Sequence, residues 1–204
     1  MFGQLAVGEL RFISRVGVVV GMKVGTVIRS FLAKDGRRVV LRMPRWEDLD
    51  DLLEMINSLV AERANIIRDE PVSRLEEIDW LSKALCRVEK GEEFYMVAEV
   101  AGKVVANSEL STRSSGYDKH VGMIGIAIRE GFRDVGIGTE MMKTLIEQGR
   151  TIGLKVLVLS AFANNNRATQ VYRKVGFKET GRIPRKFFKE GQYVDEVILT
   201  MLLG

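Results

Sequence analysis

Cysteine and histidine are almost missing from this chain, with one of each, Cys86 and His120, in 204 residues. A lone cysteine closes no intrachain disulfide, and no second metal-type ligand surrounds the lone histidine, so disulfide-stapled and zinc-dependent readings fall away. The expectation is a cytoplasmic, metal-free protein. Proline is scarce, at three residues, and there is no low-complexity tract, which argues against a fibrous or disordered chain. No apolar run approaches the ~20 residues that cross a bilayer. In the opening segment, residues 1–22, Glu9, Arg11 and Arg15 interrupt the run and no small-residue cleavage pattern follows, so neither a signal peptide nor a membrane span is expected. That segment reads as two short strands or turns, with Met22 a candidate internal start. Charge of one sign is missing too: lysine plus arginine exceed aspartate plus glutamate by 31 − 27 = 4, spread along the sequence. Such a balance suits anionic small molecules and gives little to nucleic acid, which usually meets a clustered basic stripe.

What is present is an ordinary globular composition, 46% hydrophobic, in a length that suits one domain with a short appendage. Residues 1–37 read as an N-terminal extension or short strands, and 38–204 as the domain. Arg38 to Met43 is short and β-branched after the turn Lys34-Asp35-Gly36, hence a strand. Leu49, Leu52, Leu53, Ile56 and Val60 then recur at helical spacing. A second helix begins at the capping box Ser73 to Glu76, carries Ile78, Leu81, Leu85 and Val88 on one face, and stops at Gly91. Between the helices lies a loop whose Ile66 and Ile67 suit a pocket wall. The runs from Phe94 and Lys103 form a hairpin around Ala101-Gly102, and another strand runs from His120 to Ile128. Then follow a helix ending near Gly153, a buried strand from Lys155, a short helix stopped by Gly176, and a final strand from Tyr193. The expected order is strand, two helices, three strands, helix, strand, helix, strand, a mixed α/β sheet with helices on its faces.

The junction Arg129 to Met142 carries the chemistry. Glycine inside a helix costs roughly 1 kcal/mol against alanine, yet Gly136 and Gly138 stand at the mouth of one. Exposed amides at a helix start suit a phosphate, glycines clear the way for it, and Arg133 adds a charged donor. The Walker spacing is absent, and the dinucleotide fingerprint wants a third glycine where Met141 stands. Alone, the glycine pair is equally consistent with packing or a turn.

Downstream stands a second motif, Asn165, Ala168, Tyr172, Gly176 and Phe177, about thirty residues after Arg133-x-x-Gly136-x-Gly138. The two together resemble the acetyl-CoA-dependent GNAT superfamily of N-acetyltransferases over roughly residues 38 to 204, and the tail from Gly181 is similar to the branch holding ribosomal-protein, amino-acid and polyamine acetyltransferases. The resemblance implies a mostly antiparallel central sheet with a splayed cofactor-binding strand pair, acetyl-CoA as cosubstrate, a primary-amine acceptor on a small molecule, a peptide N-terminus or a protein lysine, and a homodimer. It implies that the amides of Asp134, Val135, Gly136, Ile137, Gly138 and Thr139 hold the CoA diphosphate, with Arg133 opening the loop. Ile126, Ala127 and Ile128 match the strand whose backbone pairs with pantetheine and polarises the thioester carbonyl. The family usually has glycine or asparagine after the arginine; Asp134 here is a charge misfit, so its side chain is expected to turn away.

An amine must be neutral to attack a thioester, and the leaving sulfur is helped by a proton, so two proton-handling groups are useful. Tyr172 matches the family's general acid, and Asn165 the residue that hydrogen-bonds the cofactor arm, a role compatible with capping a helix. The base is open. Gly122 stands where some members place a glutamate; His120, on the same alternating face, is one candidate, directly or through water, and Glu109 is another. Asp195 and Glu196 are candidates for recognising an amine, whereas Asp69 and Glu70 read as a solvated loop. A non-catalytic acyl-CoA-binding sensor is the alternative reading.

Overall fold

The structure is a computed structural model that describes residues 23–112 and 116–204. The expected short strands or turns of residues 1–22, and Met22, lie outside the described residues. Eight strands and four helices follow in the order β1 (Val27–Leu32), β2 (Arg38–Arg42), a single 3-10 turn (Trp46–Asp48), α1 (Leu49–Ala61), α2 (Arg74–Lys90), β3 (Phe94–Val100), β4 (Lys103–Thr112), β5 (Val121–Ile128), α3 (Ile137–Thr151), β6 (Val156–Phe162), α4 (Asn166–Lys174), β7 (Lys178–Lys189) and β8 (Gln192–Leu202). One sheet holds them in the spatial order β1-β2-β3-β4-β5-β6-β8-β7. Neighbours are antiparallel except β5 and β6, which run parallel.

Local chemistry sets the boundaries. Ser73 Oγ accepts from the Glu76 amide while the Glu76 carboxylate accepts from the Ser73 amide, and Gly91 ends α2 in the left-handed conformation. Ala101 and Gly102 both have positive φ, as a two-residue hairpin turn requires. Met96 and Val97 point to opposite faces of the sheet and enter different clusters. Val97 joins Leu49, Leu52, Met55, Leu81 and Val104 beneath α1 and α2; Met96 joins Met141, Met142 and Leu145 of α3.

Two strands go beyond the expected order. β1 lies within the segment taken as an extension or short strands, and it pairs with β2 from Val27↔Arg42 to Leu32↔Arg38. β7 spans twelve residues and is the last strand of the sheet, paired only with β8. It shows no alternation because nearly all of it is exposed, and its register shifts between Ile183 and Phe187, around Pro184. An edge position and a bulge are where a strand tolerates proline.

A buried ion pair ties β2 to the start of α1. Arg42 donates to both oxygens of Asp48 at 2.7 Å, and its Nε donates to Glu99 at 2.7 Å. Both Arg42 and Asp48 are 3% exposed, and the Arg45 amide also donates to Asp48. Removing one charge from such a pair strands the other in low dielectric. Asp48→Asn is expected to lower stability by about 3 kcal/mol, read as a shift of the urea midpoint at unchanged slope.

Candidate active site

β5 and β6 are hydrogen-bonded only from Val121–Met123 to Val156–Val158. Beyond Met123 the strands part: β5 continues beside β4 to Ala106↔Ile128, while β6 follows β8 to Phe162↔Glu196. One backbone edge of residues 124–128 is therefore left without a strand partner. This wedge opens into a cavity of about 1460 Å³.

The β5–α3 loop forms one end of the cavity. Gly136 caps α3 with φ +98°, a conformation that side chains disfavour. A Cβ at Gly138 would sit 3.0 Å from Ile128 Cδ1, so this glycine lets the helix start approach β5 closely. Asp134 has φ +63°. Here the structure supplies what charge reasoning missed: the position asks for a left-handed backbone, which glycine, asparagine and aspartate tolerate best. The side chain turns to Arg167, 3.1 Å from its Nε. Arg133 braces the loop: Nε donates to the Ile128 carbonyl at 2.7 Å, and the guanidinium pairs with Glu130 and Glu62.

Sequence reasoning missed a second brace, from the β1–β2 turn. The Lys34 amide donates to the Val135 carbonyl at 2.9 Å, and Arg37 donates to the Gly131 carbonyl at 2.7 Å while lying over the Phe132 ring. Lys34 and Lys174 line a second depression beside Gly136 and Thr139. Cationic charge thus gathers where the helix amides face outward.

Across the wedge, Asn165 caps α4, its Oδ1 accepting from the Ala168 amide at 3.2 Å. Asn165, Ala168 and Tyr172 all line the cavity. Tyr172 is 7% exposed, and burial alone pushes its hydroxyl up to about 12.

The structure separates the base candidates. Glu109 lines the cavity directly opposite Gly125, where a Cβ would lie 3.2 Å from Glu109 Oε1. The missing side chain leaves room for the carboxyl. Burial first, then the nearby Glu93 carboxylate, raises its pKa above the ordinary value, with Arg87 opposing. Tyr95, its cross-strand partner, donates to Glu93 at 2.5 Å. His120 is not brought to the cavity: it is exposed in the turn before β5, about 20 Å of extended strand from Ile126. Gly122 is buried, and a Cβ there would come within 3 Å of Leu154 and Leu110 methyl groups, which would have to shift to admit a side chain. Asp195 is committed to Arg182 and the Arg185 amide, and neither it nor Glu196 lines the cavity. Asp69 and Glu70 are exposed and also outside it.

The far wall comes from the α1–α2 loop, as expected of Ile66 and Ile67, and from Phe187 and Lys189 of β7. Asn57 pins the loop by exchanging hydrogen bonds with the Val72 backbone. Lys189 donates to the Arg63 and Ala64 carbonyls and Asn65 Oδ1, and Phe187 stacks on Phe162 at 3.8 Å. Sequence reasoning also missed Glu77. Its signal was a carboxylate on the apolar face of α2: the structure buries Glu77, Leu81, Ala84 and Val88.

A splayed parallel strand pair, an open helix N-terminus behind it and a buried tyrosine at the crevice define an acyl-transfer fold built for a long phosphorylated thioester. Residues 52–177 match the model of the acetyltransferase (GNAT) family, and the chain belongs to that family. It is 23% identical over 158 residues, 76% of this chain and 90% of the relative, to an L-methionine sulfoximine/L-methionine sulfone acetyltransferase of Pseudomonas paraeruginosa. Its fold is similar to an N-acetyltransferase from Staphylococcus aureus Mu50, with TM-score 0.74, 20% identity and coverage of 81% of this chain and 99% of that one. A phosphinothricin acetyltransferase from Sinorhizobium meliloti, solved in complex with AcCoA, superposes with TM-score 0.72 at 20% identity over 81% of this chain and 89% of that one. The protein is an acetyl-CoA-dependent N-acetyltransferase, and a non-catalytic acyl-CoA sensor has no support. Among the described residues no helix is long and apolar enough to cross a membrane, and no group of three or more histidine, cysteine, aspartate or glutamate residues is placed to hold a metal.

The loop geometry makes a prediction. Gly136→Ala forces a side chain into the left-handed region at a cost of about 1–2 kcal/mol, and acetyl-CoA affinity by calorimetry should fall about tenfold. Asp134→Gly, which keeps the backbone accessible, should bind nearly as wild type.

Proposed function

We propose that this enzyme acetylates a primary amine by direct attack on the thioester, with Glu109 as general base and Tyr172 as the donor to the departing sulfur. The observation that carries the reading is their common cavity, on either side of the unpaired end of β5. The amides of residues 134–139 and the Lys34 and Lys174 ammonium groups take the diphosphate, the Asn165 side chain meets the pantetheine arm, and the free edge of Ile126 to Ile128 pairs with it and polarises the acetyl carbonyl.

Glu109 takes one proton from the acceptor ammonium, freeing the lone pair that forms the new C–N bond. A carboxyl with raised proton affinity is better matched to that task than one in water. As the C–S bond breaks, Tyr172 donates a hydrogen bond to the sulfur. Its hydroxyl, at about 12, stays protonated at neutral pH. Full transfer to a thiolate with a pKa of about 8.5 is uphill, so the donated hydrogen bond stabilises the charge as it builds; the second proton that the nitrogen sheds on becoming an amide passes to solvent, and solvent protonates the sulfur. The amino-acid acceptor in the relative's name supports a small amine as substrate. A cytoplasmic location and a homodimer belong to the same reading: the single cysteine suits a reducing compartment, and the dimer rests on family resemblance alone.

Tyr172→Phe should lower kcat for thiol release by about 100-fold with acetyl-CoA affinity unchanged. In wild type, kcat/KM should rise with pH through the ionisation of Glu109, displaced above the ordinary carboxylate range; Glu109→Gln should abolish that limb. The variant should also be more stable than wild type at pH 7. A group whose folded pKa is raised contributes stability below its unfolded pKa and loses it as pH rises through the folded one, and glutamine never acquires the buried charge. Full activity in both variants would overturn the assignment.

A further inference from the structure

The acceptor end of the cavity has an uneven charge account. Every cation that lines it has a partner: Arg68 pairs with Glu76 at 2.5 Å, Arg63 with Glu190 at 2.9 Å, and Lys189 with oxygens of Arg63, Ala64 and Asn65. Two carboxylates in the same cavity make no hydrogen bond or ion pair with a described residue, Glu109 and Glu77. Glu77 is only 6% exposed. No fully buried side-chain oxygen or nitrogen among the described residues lacks a partner, so the unpaired Glu77 carboxylate keeps its remaining exposure toward the cavity. Burial disfavours its charge and Arg68 favours it; Glu93 and Arg87 act on Glu109 instead. Glu77 stands on α2 and Glu109 on β4, and both line the one cavity.

Glu77 sits where the amphipathic pattern of α2 calls for an apolar residue, one turn before Leu81. A buried carboxylate without a partner is costly unless something charged completes it. Nothing in the proton transfers at Glu109 and Tyr172 uses it. The Lys189 clamp and the stacked Phe162 and Phe187 wall this end, which favours a slender molecule.

Building on the acetyltransferase reading above, we propose that the acceptor is a small aliphatic diamine or polyamine: one amine is acetylated beside Glu109 while Glu77 holds a second, ammonium end. An acceptor bearing a carboxylate there would face Glu77 without an uncommitted cation to receive it, so the acceptor class differs from the amino acid of the similar Pseudomonas enzyme.

Three acceptors of equal chain length isolate the second charge: 1,5-diaminopentane, n-pentylamine and 5-aminopentanoate. Their kcat/KM values should fall in that order, the diamine leading the monoamine by at least about tenfold. Glu77→Gln should erase that preference by raising KM for the diamine, leaving kcat, KM for acetyl-CoA and all constants for pentylamine near wild type. A purely structural Glu77 would alter the three acceptors alike. Equal turnover of the three, a lead for aminopentanoate, or a Glu77→Gln variant that keeps the diamine preference would overturn the proposal. If none of the three releases thiol, the catalytic reading fails for these amines and calorimetry with CoA present decides the binding claim separately. Diamine binding that is lost in Glu77→Gln upholds it, and no diamine binding to wild type overturns it.

Discussion

Between β5 and β6 the sheet is joined from Val121–Met123 to Val156–Val158, and past that point the β5 backbone has no strand beside it on one edge. A backbone group buried without a partner costs about 1–3 kcal/mol, so residues 124–128 must face either water or a ligand that can pair with them. The separation is enforced from both sides. β4 holds β5 along its whole length, and β8 holds β6 from Leu202 to Glu196. Neither strand can swing across the wedge without giving up a full ladder. At the narrow end, the side chains of Leu110, Leu154 and Leu157 pack over Gly122.

The wedge becomes useful because other elements are fastened to its rim. Arg133 spends its guanidinium on the Ile128 carbonyl, Glu130 and Glu62, so it acts as a buttress joining the strand end, the loop and the end of α1. The β1–β2 turn adds a backbone bond to Val135 and the Arg37 contacts to Gly131 and Phe132. With the loop held from two directions, the helix amides are oriented before any anion arrives, and preorganised dipoles lose little to reorganisation. Alternation along β5 then divides the labour: Ile124, Ile126 and Ile128 face the α3 cluster, whereas Gly125 faces the side where Glu109 stands.

The elements that the sequence made legible are those that carry their own punctuation. The α2 capping box, the Ala101-Gly102 turn and the stops at Gly91 and Gly176 are local, and each formed as the residue types require. β1 and β7 were hard to read because they are edge strands with no fully buried residue and no alternation of buried and exposed positions. The loop and the α4 motif were legible as a spaced pair, and the cavity does unite them. Strand parity, however, misled at His120. Alternation says which face a residue shares, yet not how far along the strand the reacting end lies, and His120 is at the wrong end. Glu77 escaped for another reason: a single carboxylate within a helix face looks like a phase error in the pattern until the neighbouring strands give it a cavity to face.

Glu109 and Glu77 also place function and stability in opposition. Burial raises the proton affinity of both above the ordinary carboxylate value, against the opposing influence of Arg87 on one and Arg68 on the other. For a carboxyl whose folded pKa is raised, the stabilising contribution is complete below the unfolded pKa and disappears as pH climbs through the folded one. Neither carboxyl has a hydrogen-bond or ion-pair partner among the described residues, so burial opposes the ionisation of both. An ammonium entering the cavity removes that penalty, so part of the binding free energy comes from relieving a cost already present in the protein. On the proposed reading, the arrangement favours amines over neutral or anionic molecules before any contact with the acetyl group is made. On that same reading, Glu77, buried on the apolar face of α2 where a leucine would pack better, is a recognition element held at a cost in stability.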